Sequence, residues 1–201
     1  MENDLITRRR TEIIETALKV VSEKGYHAAK IEDIAAELKI GHGTFYRYFR
    51  SKLDVFNHVV DYVVQKVVEM VGDIDPREAN SLEDYRRQLE TIGDYMFGLF
   101  KEEPRIARVL FYEAFGIDDE SVKARIAEIF DLFGKYTERY LQNGIEKGYL
   151  RADMHVRETA LAINAALFEA CRRVVSAVDH EREHKIWKET IIGLMLEGIK
   201  A

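Results

Sequence analysis

The stretch Ile31-Glu32-Asp33-Ile34-Ala35-Ala36-Glu37-Leu38-Lys39-Ile40-Gly41-His42-Gly43-Thr44-Phe45-Tyr46-Arg47-Tyr48-Phe49 decides the fold. Ile31, Ile34, Ala35 and Leu38 recur at the spacing of one helical face, so residues 31–38 read as a short helix. Lys39-Ile40-Gly41 reads as a tight turn, with Gly41 the residue that permits it. His42 to Phe49 reads as a second short helix. It carries His42, Thr44, Arg47 and the Tyr46 hydroxyl, more hydrogen-bonding groups than its own packing needs. Two short helices joined by a tight turn are the geometry of a helix-turn-helix, whose second helix fits the major groove of DNA. Ala35 is small where the two helices would cross.

Upstream, Leu5 to Lys24 reads as a helix with the apolar stripe Ile13, Ile14, Ala17, Leu18 and Val21, closed by Gly25. Helices as short as these two do not stand alone. The predicted shared core is Ile14, Leu18, Ile34, Leu38, Ile40, Phe45 and Phe49. Downstream, helical patterns run over 51–71, 81–102, 104–116, 118–147, 155–178 and 183–199. Ser51 is the expected N-cap of the first of these, with Asp54 as its capping-box partner. No strand-like alternation, repeat or low-complexity stretch interrupts them. The fold class is all-α with about nine helices. A DNA-binding domain over 1–52 is expected to precede a ligand-binding and dimerisation domain over 53–201.

At Gly25-Tyr26, Ile34-Ala35, Gly43-Thr44-Phe45-Tyr46-Arg47-Tyr48-Phe49 and Lys52 the chain resembles the TetR family of transcriptional regulators. Those residues keep the family's spacing across residues 8–56. The family usually has Ser or Thr opening the second helix, where this chain reads Ala28-Ala29-Lys30-Ile31, and often Ser where Gly41 stands. The resemblance implies phosphate contacts from Tyr46 and Lys52, with Lys30 standing in for the missing hydroxyl and Tyr48 divided between phosphate and core. His42, Thr44 and Arg47 are the candidates for base edges, since Arg can hold guanine through two bonds. Arg8-Arg9-Arg10 reads as a basic arm attracted to phosphate or the minor groove. The expected partners are double-stranded operator DNA and a second copy of the chain.

A net charge of −6 argues against nucleic acid until its distribution is examined. Residues 1–52 hold ten Lys+Arg against eight Asp+Glu; the rest hold 20 against 28. A basic head on an acidic body suits a DNA reader carried by a domain that stays off DNA. The one cysteine, Cys171, lies in an apolar helical stretch and reads as a buried, inert thiol. With no signal peptide and no apolar run near the ~18 residues of a membrane span, a cytoplasmic location away from membranes is expected.

In the resembled family the middle helices enclose a small molecule and the last two pair with a partner subunit. Bulky apolar residues between 97 and 133 can wall a cavity for a lipophilic effector. Phe97, Phe111, Phe130 and Phe168 are the wall candidates, with Glu113 and Asn164 as polar contacts because each sits inside an apolar run. Ala162, Ala166 and Ala170 permit close helix approach, and Trp187, Ile191 and Leu194 supply bulk; these six are the candidate dimer interface. An enzyme is the competing reading. His180-Glu181-Arg182-Glu183-His184 fits the letters of a zinc motif, but it is expected at a loop between two helices, where the two imidazoles would not share a face. No metal, cofactor or catalytic group is assigned. A protein–protein adaptor without DNA binding is a third reading; the retained Tyr46, Lys52 and arginines argue against it.

Overall fold

A computed structural model describes residues 2–200, with side chains from residue 4 onward. Its described residues form nine α-helices: α1 (Glu2–Lys24), α2 (Ile31–Glu37), α3 (His42–Tyr46), α4 (Lys52–Val71), α5 (Leu82–Glu102), α6 (Pro104–Arg108), α7 (Glu120–Glu146), α8 (Val156–Ser176) and α9 (His180–Ile199). The all-α expectation holds. The region expected as one helix from Pro104 to Gly116 is instead α6, a π-helical turn over Val109–Glu113 and a 3-10 turn over Ala114–Gly116.

The chain divides by packing into two compact units. One comprises 1–66 and 103–125; the other comprises 67–102 and 126–201. The division expected from the sequence at 52/53 falls at the first residue of α4, whereas the division by packing falls within that helix at 66/67.

In the first unit the core is larger than three helices can supply. Ile13, Leu18, Ile34, Phe45 and Phe49 are buried as the apolar stripes predict, and Val55, Phe56 and Val59 of α4 complete the set. Ile14, Leu38 and Ile40 are only half-buried. α1 ends in a left-handed Gly25 (φ 81°), whose N–H donates to the Val21 carbonyl at 2.8 Å. In the turn before α3 the positive φ falls on Lys39 (54°), while Gly41 is extended at φ −72°, ψ 152°. The expectation for Gly41 therefore fell two residues too late. Ser51 caps α4 as read: its Oγ accepts from the Asp54 N–H at 3.1 Å.

In the second unit α5, α7, α8 and α9 close on Tyr85, Leu141, Leu150, Ala160, Ile163, Ile191, Ile192 and Met195. α7 ends in a Schellman turn at Gly148 (φ 77°): Gly148 N–H donates to the Ile145 carbonyl and Tyr149 N–H to the Gly144 carbonyl, at 3.1 and 3.0 Å. The turn folds Leu150 back over Gly144 and into the core. α9 begins at His180, so the His-Glu-Arg-Glu-His run lies in a helix and not in the expected loop. Its two imidazoles nevertheless serve different packing partners. His180 Nδ1 lies 2.7 Å from the Val174 carbonyl, whereas the His184 ring stacks on Phe97 at 4.2 Å. Burial lowers the His184 pKa and favours its neutral form.

Candidate DNA-binding site

α3 is five residues long and owes its position to its neighbours. Phe45 and Phe49 are almost wholly buried, and Phe49, just after the helix, lies beneath Arg10 of α1 and beside His58 of α4. The same register turns His42, Tyr46 and Arg47 outward; Tyr46 is 52% exposed, unusual for a large aromatic ring. Thr44 and Tyr48 are half-buried at the edges of this face. His42 Nε2 lies 3.6 Å from Glu32 of α2 and its ring meets Tyr46 edge-on, so the two helices present one continuous polar surface. Arg50, not singled out from the sequence, is exposed just beyond it. Its signal was only a charge following the aromatic pair.

Lys30 occupies the N-cap position of α2 with its side chain exposed. Its backbone N–H donates to Asp33 Oδ2 at 2.9 Å, which is half of a capping box. The helix start thus keeps one cap bond although the usual hydroxyl is absent.

Four expected DNA contacts sit differently. Arg8, Arg9 and Arg10 lie inside α1 and form no arm ahead of it. Arg8 and Arg9 pair with Glu12, while Arg10 stacks 4.8 Å over Phe49 and reaches His58 Nε2 at 2.6 Å. Arg10 is thereby committed to packing. Lys52 departs furthest from expectation. Its ammonium donates to the carbonyls of Tyr26, His27 and Ala29 at 2.8, 3.2 and 3.0 Å and lies 4.5 Å over the Tyr26 ring. An ammonium has three N–H donors, and all three go to the turn between α1 and α2.

That turn is gripped from a second side. Glu113, expected to meet a ligand, accepts from the Tyr26 N–H at 2.8 Å and pairs with Arg108 at 3.5 Å. Phe111, from the same expected set, is 5% exposed in the core of this unit. The remaining candidates, Phe97, Phe130, Asn164 and Phe168, belong to the other unit. There Phe130 meets Phe168 at 5.6 Å and Asn164 accepts from Thr137, while Phe97 is occupied with His184.

The interface candidates also separate. Ala170 and Ile191 are 6% and 5% exposed in the chain's own core and cannot reach a partner. Leu194 is 72% exposed, Ala162 is exposed, and Ala166 and Trp187 are half-buried.

A short helix with outward polar groups, locked by buried aromatics and preceded by a second short helix, defines a helix-turn-helix DNA-binding regulator. Residues 13–59 match the model of the bacterial regulatory proteins of the tetR family. YuxN of Bacillus subtilis, an HTH-type transcriptional regulator, is 28% identical over 152 residues, which are 69% of this chain and 52% of that protein. FadR of Bacillus subtilis, solved with stearoyl-CoA, superposes with a TM-score of 0.79 at 22% identity, over 94% of this chain and 98% of that one. The ketosteroid regulator KstR2 of Mycobacterium tuberculosis superposes at 0.65 and 20% identity, over 96% and 95%. These two likenesses are of fold. Residues 13–59 are thus a tetR-type helix-turn-helix domain, and the chain as a whole has the fold of TetR-type regulators.

Proposed function

We propose that the chain is a homodimeric repressor that leaves a pseudo-palindromic operator when a lipophilic small molecule binds its second unit. The carrying observation is the outward set His42, Tyr46 and Arg47 on a helix whose inward residues are fully buried. Arg47 and His42 read base edges, with Thr44 at the margin. Tyr46, Lys30 and Arg50 hold phosphates, which position the protein without reading sequence. Binding should weaken steeply with salt. Arg47→Ala should relax preference at particular base pairs by about 1–3 kcal/mol, whereas Tyr46→Phe should weaken all sequences alike. Competition binding against a randomised operator library checks this. An unchanged preference in Arg47→Ala would remove that residue from base reading.

A five-residue recognition helix makes few contacts, so two copies about 34–36 Å apart are needed to meet successive major grooves. The exposed parts of α8 and α9, with Ala162 and Leu194, are the proposed pairing face. Leu194→Glu leaves the single chain intact, because that side chain is already in water, but buries charge in a dimer at about 3–5 kcal/mol. Sedimentation should show folded monomers. A persistent dimer would move the interface elsewhere. The lipophilic effector is supported by the Phe130–Phe168 pair and by what FadR and KstR2 are described as binding or regulating. The location is taken to be cytoplasmic, where operator DNA is; no described helix is long and apolar enough to cross a membrane.

A further inference from the structure

The segment that begins at Pro104 belongs to the first unit, and it meets the turn that leads into the helix-turn-helix. Ile106, Ala107, Val109, Phe111 and Ala114 are buried, so the segment is fixed in the core of that unit, packed on α1. Its backbone is not α-helical throughout. The Ala114 N–H donates to the Val109 carbonyl, five residues back, which is a π turn. Single π turns are frequent at functional sites, and here the turn re-aims one side chain. In an α-helix of 3.6 residues per turn, residues five apart point about 140° apart. Across the π turn Arg108 and Glu113 meet: Arg108 Nε donates to Glu113 Oε1 at 3.5 Å. The other carboxylate oxygen, Oε2, accepts from the Tyr26 N–H at 2.8 Å. The Glu113 side chain is 15% exposed, and both of its oxygens are engaged.

Tyr26 is thereby held at both of its peptide groups by charges of matching sign. The carboxylate faces its N–H and the Lys52 ammonium faces its carbonyl, each at 2.8 Å. The next residue is held as well, with His27 Nε2 3.3 Å from the Gly116 carbonyl. From there the chain runs straight into α2. Ala29 is buried, its N–H donates to the Gly25 carbonyl, and Lys30 is the N-cap. α2 in turn sets the entry to α3, because the Ile40 N–H donates back to the Ala35 carbonyl at 2.9 Å.

Charge alone gives Glu113 the wrong sign for this place. Removing a negative charge from a DNA-binding unit strengthens its attraction to phosphate. The geometry demands the opposite result. We infer that Glu113 is a positioning residue for DNA recognition: aimed by the π turn and Arg108, its carboxylate fixes the Tyr26 peptide, and through it the start of α2 and the orientation of α3. The inference rests on α3 being the DNA-reading helix.

The test uses the full chain and two probes, a duplex that the parent chain selects from a randomised library and a scrambled duplex of the same composition. Glu113→Ala should weaken binding to the selected duplex by about fivefold or more, the range for residues that act without touching the ligand. Glu113→Gln keeps an acceptor for the Tyr26 N–H and should recover most of that loss. Ile13→Val is the control, since it thins the core of the same unit and leaves the turn untouched. All chains are compared where circular dichroism shows them fully folded, so a purely structural residue would leave affinity unmoved. Should Glu113→Ala not fold, Glu113→Asp replaces it, one methylene too short to reach Tyr26. Hydrogen exchange at the Tyr26 amide should accelerate in Glu113→Ala and stay at the parent rate in Ile13→Val. The salt slope of DNA binding should not change, because no phosphate contact is lost. Equal or tighter binding by Glu113→Ala to the selected duplex, an equal loss in Ile13→Val, or no recovery in Glu113→Gln overturns the inference and leaves α3 as the reader. A parent chain that prefers no duplex over the scrambled one overturns the reading of α3 and the inference together.

Discussion

Lys52→Met should destabilise the DNA-binding unit by about 2–4 kcal/mol, and its loss of DNA affinity should follow from that. Methionine keeps the apolar stem, so the substitution isolates the ammonium. A hydrogen bond from a charged donor is worth about 1.5–3 kcal/mol, and Lys52 makes three, to the carbonyls of Tyr26, His27 and Ala29. The sum is much less than three times that figure, because His27 is exposed and its carbonyl can turn to water. The ammonium over the Tyr26 ring adds about 0.5–1 kcal/mol. The lost bonds release the turn that sets the start of α2, and α2 positions α3. Hydrogen exchange at the Ala29 amide, which donates to the Gly25 carbonyl at 3.0 Å, should accelerate, and the urea midpoint should fall. A phosphate-contacting lysine behaves oppositely: stability is unchanged and the salt slope of DNA binding drops by about one. That second pattern would restore Lys52 to the DNA interface.

Lys52 also marks where sequence reasoning stops. Helical periods are local, so α1, α2, α4 and the four long helices of the second unit were legible from spacing, as were Gly25 and Gly148 as helix stops. Partnerships across 25 to 90 residues are not local. Nothing near Glu113 in the chain indicates that its carboxylate accepts from Tyr26, 87 positions away. A lysine suited to a phosphate looks identical to a lysine suited to three carbonyls. Ala170 and Ile191 failed for a related reason: an apolar residue on a helix reads the same whether its face meets its own core or a partner subunit. The turn before α3 was misplaced because left-handed backbone favours glycine, and Gly41 was the glycine at hand; the strain sits instead on Lys39. By contrast the outward Tyr46 and Arg47 and the inward Phe45 and Phe49 were separable in advance, because a five-residue helix has room for only one buried face.

Gly144→Ala and Gly98→Ala are the same chemical change on two helices of one unit, and their effects should have opposite signs. Both glycines are within α-helices, where alanine is intrinsically favoured by about 0.8–1 kcal/mol. At Gly98 a methyl meets nothing within 4 Å, so the propensity gain stands and stability should rise by about 0.5–1 kcal/mol. At Gly144 the methyl would lie 2.5 Å from Leu150 Cγ and 2.8 Å from Tyr149 Cε2. Leu150 cannot give way. It is 2% exposed, its N–H donates to the Gly144 carbonyl at 3.1 Å, and the next residue's N–H donates to the Ile199 carbonyl at 3.0 Å. Overpacking of a filled core costs about 1–3 kcal/mol and occasionally more, which exceeds the propensity gain. The displaced Leu150 would also loosen the Schellman turn and the end of α9. Urea unfolding followed by helical signal should rank Gly98→Ala above the parent chain and Gly144→Ala below it. Hydrogen exchange at Arg151 should rise only in the latter. A Gly144→Ala chain as stable as the parent would mean that Leu150 has another place to go, and that its return over α7 does not hold this end of the unit together.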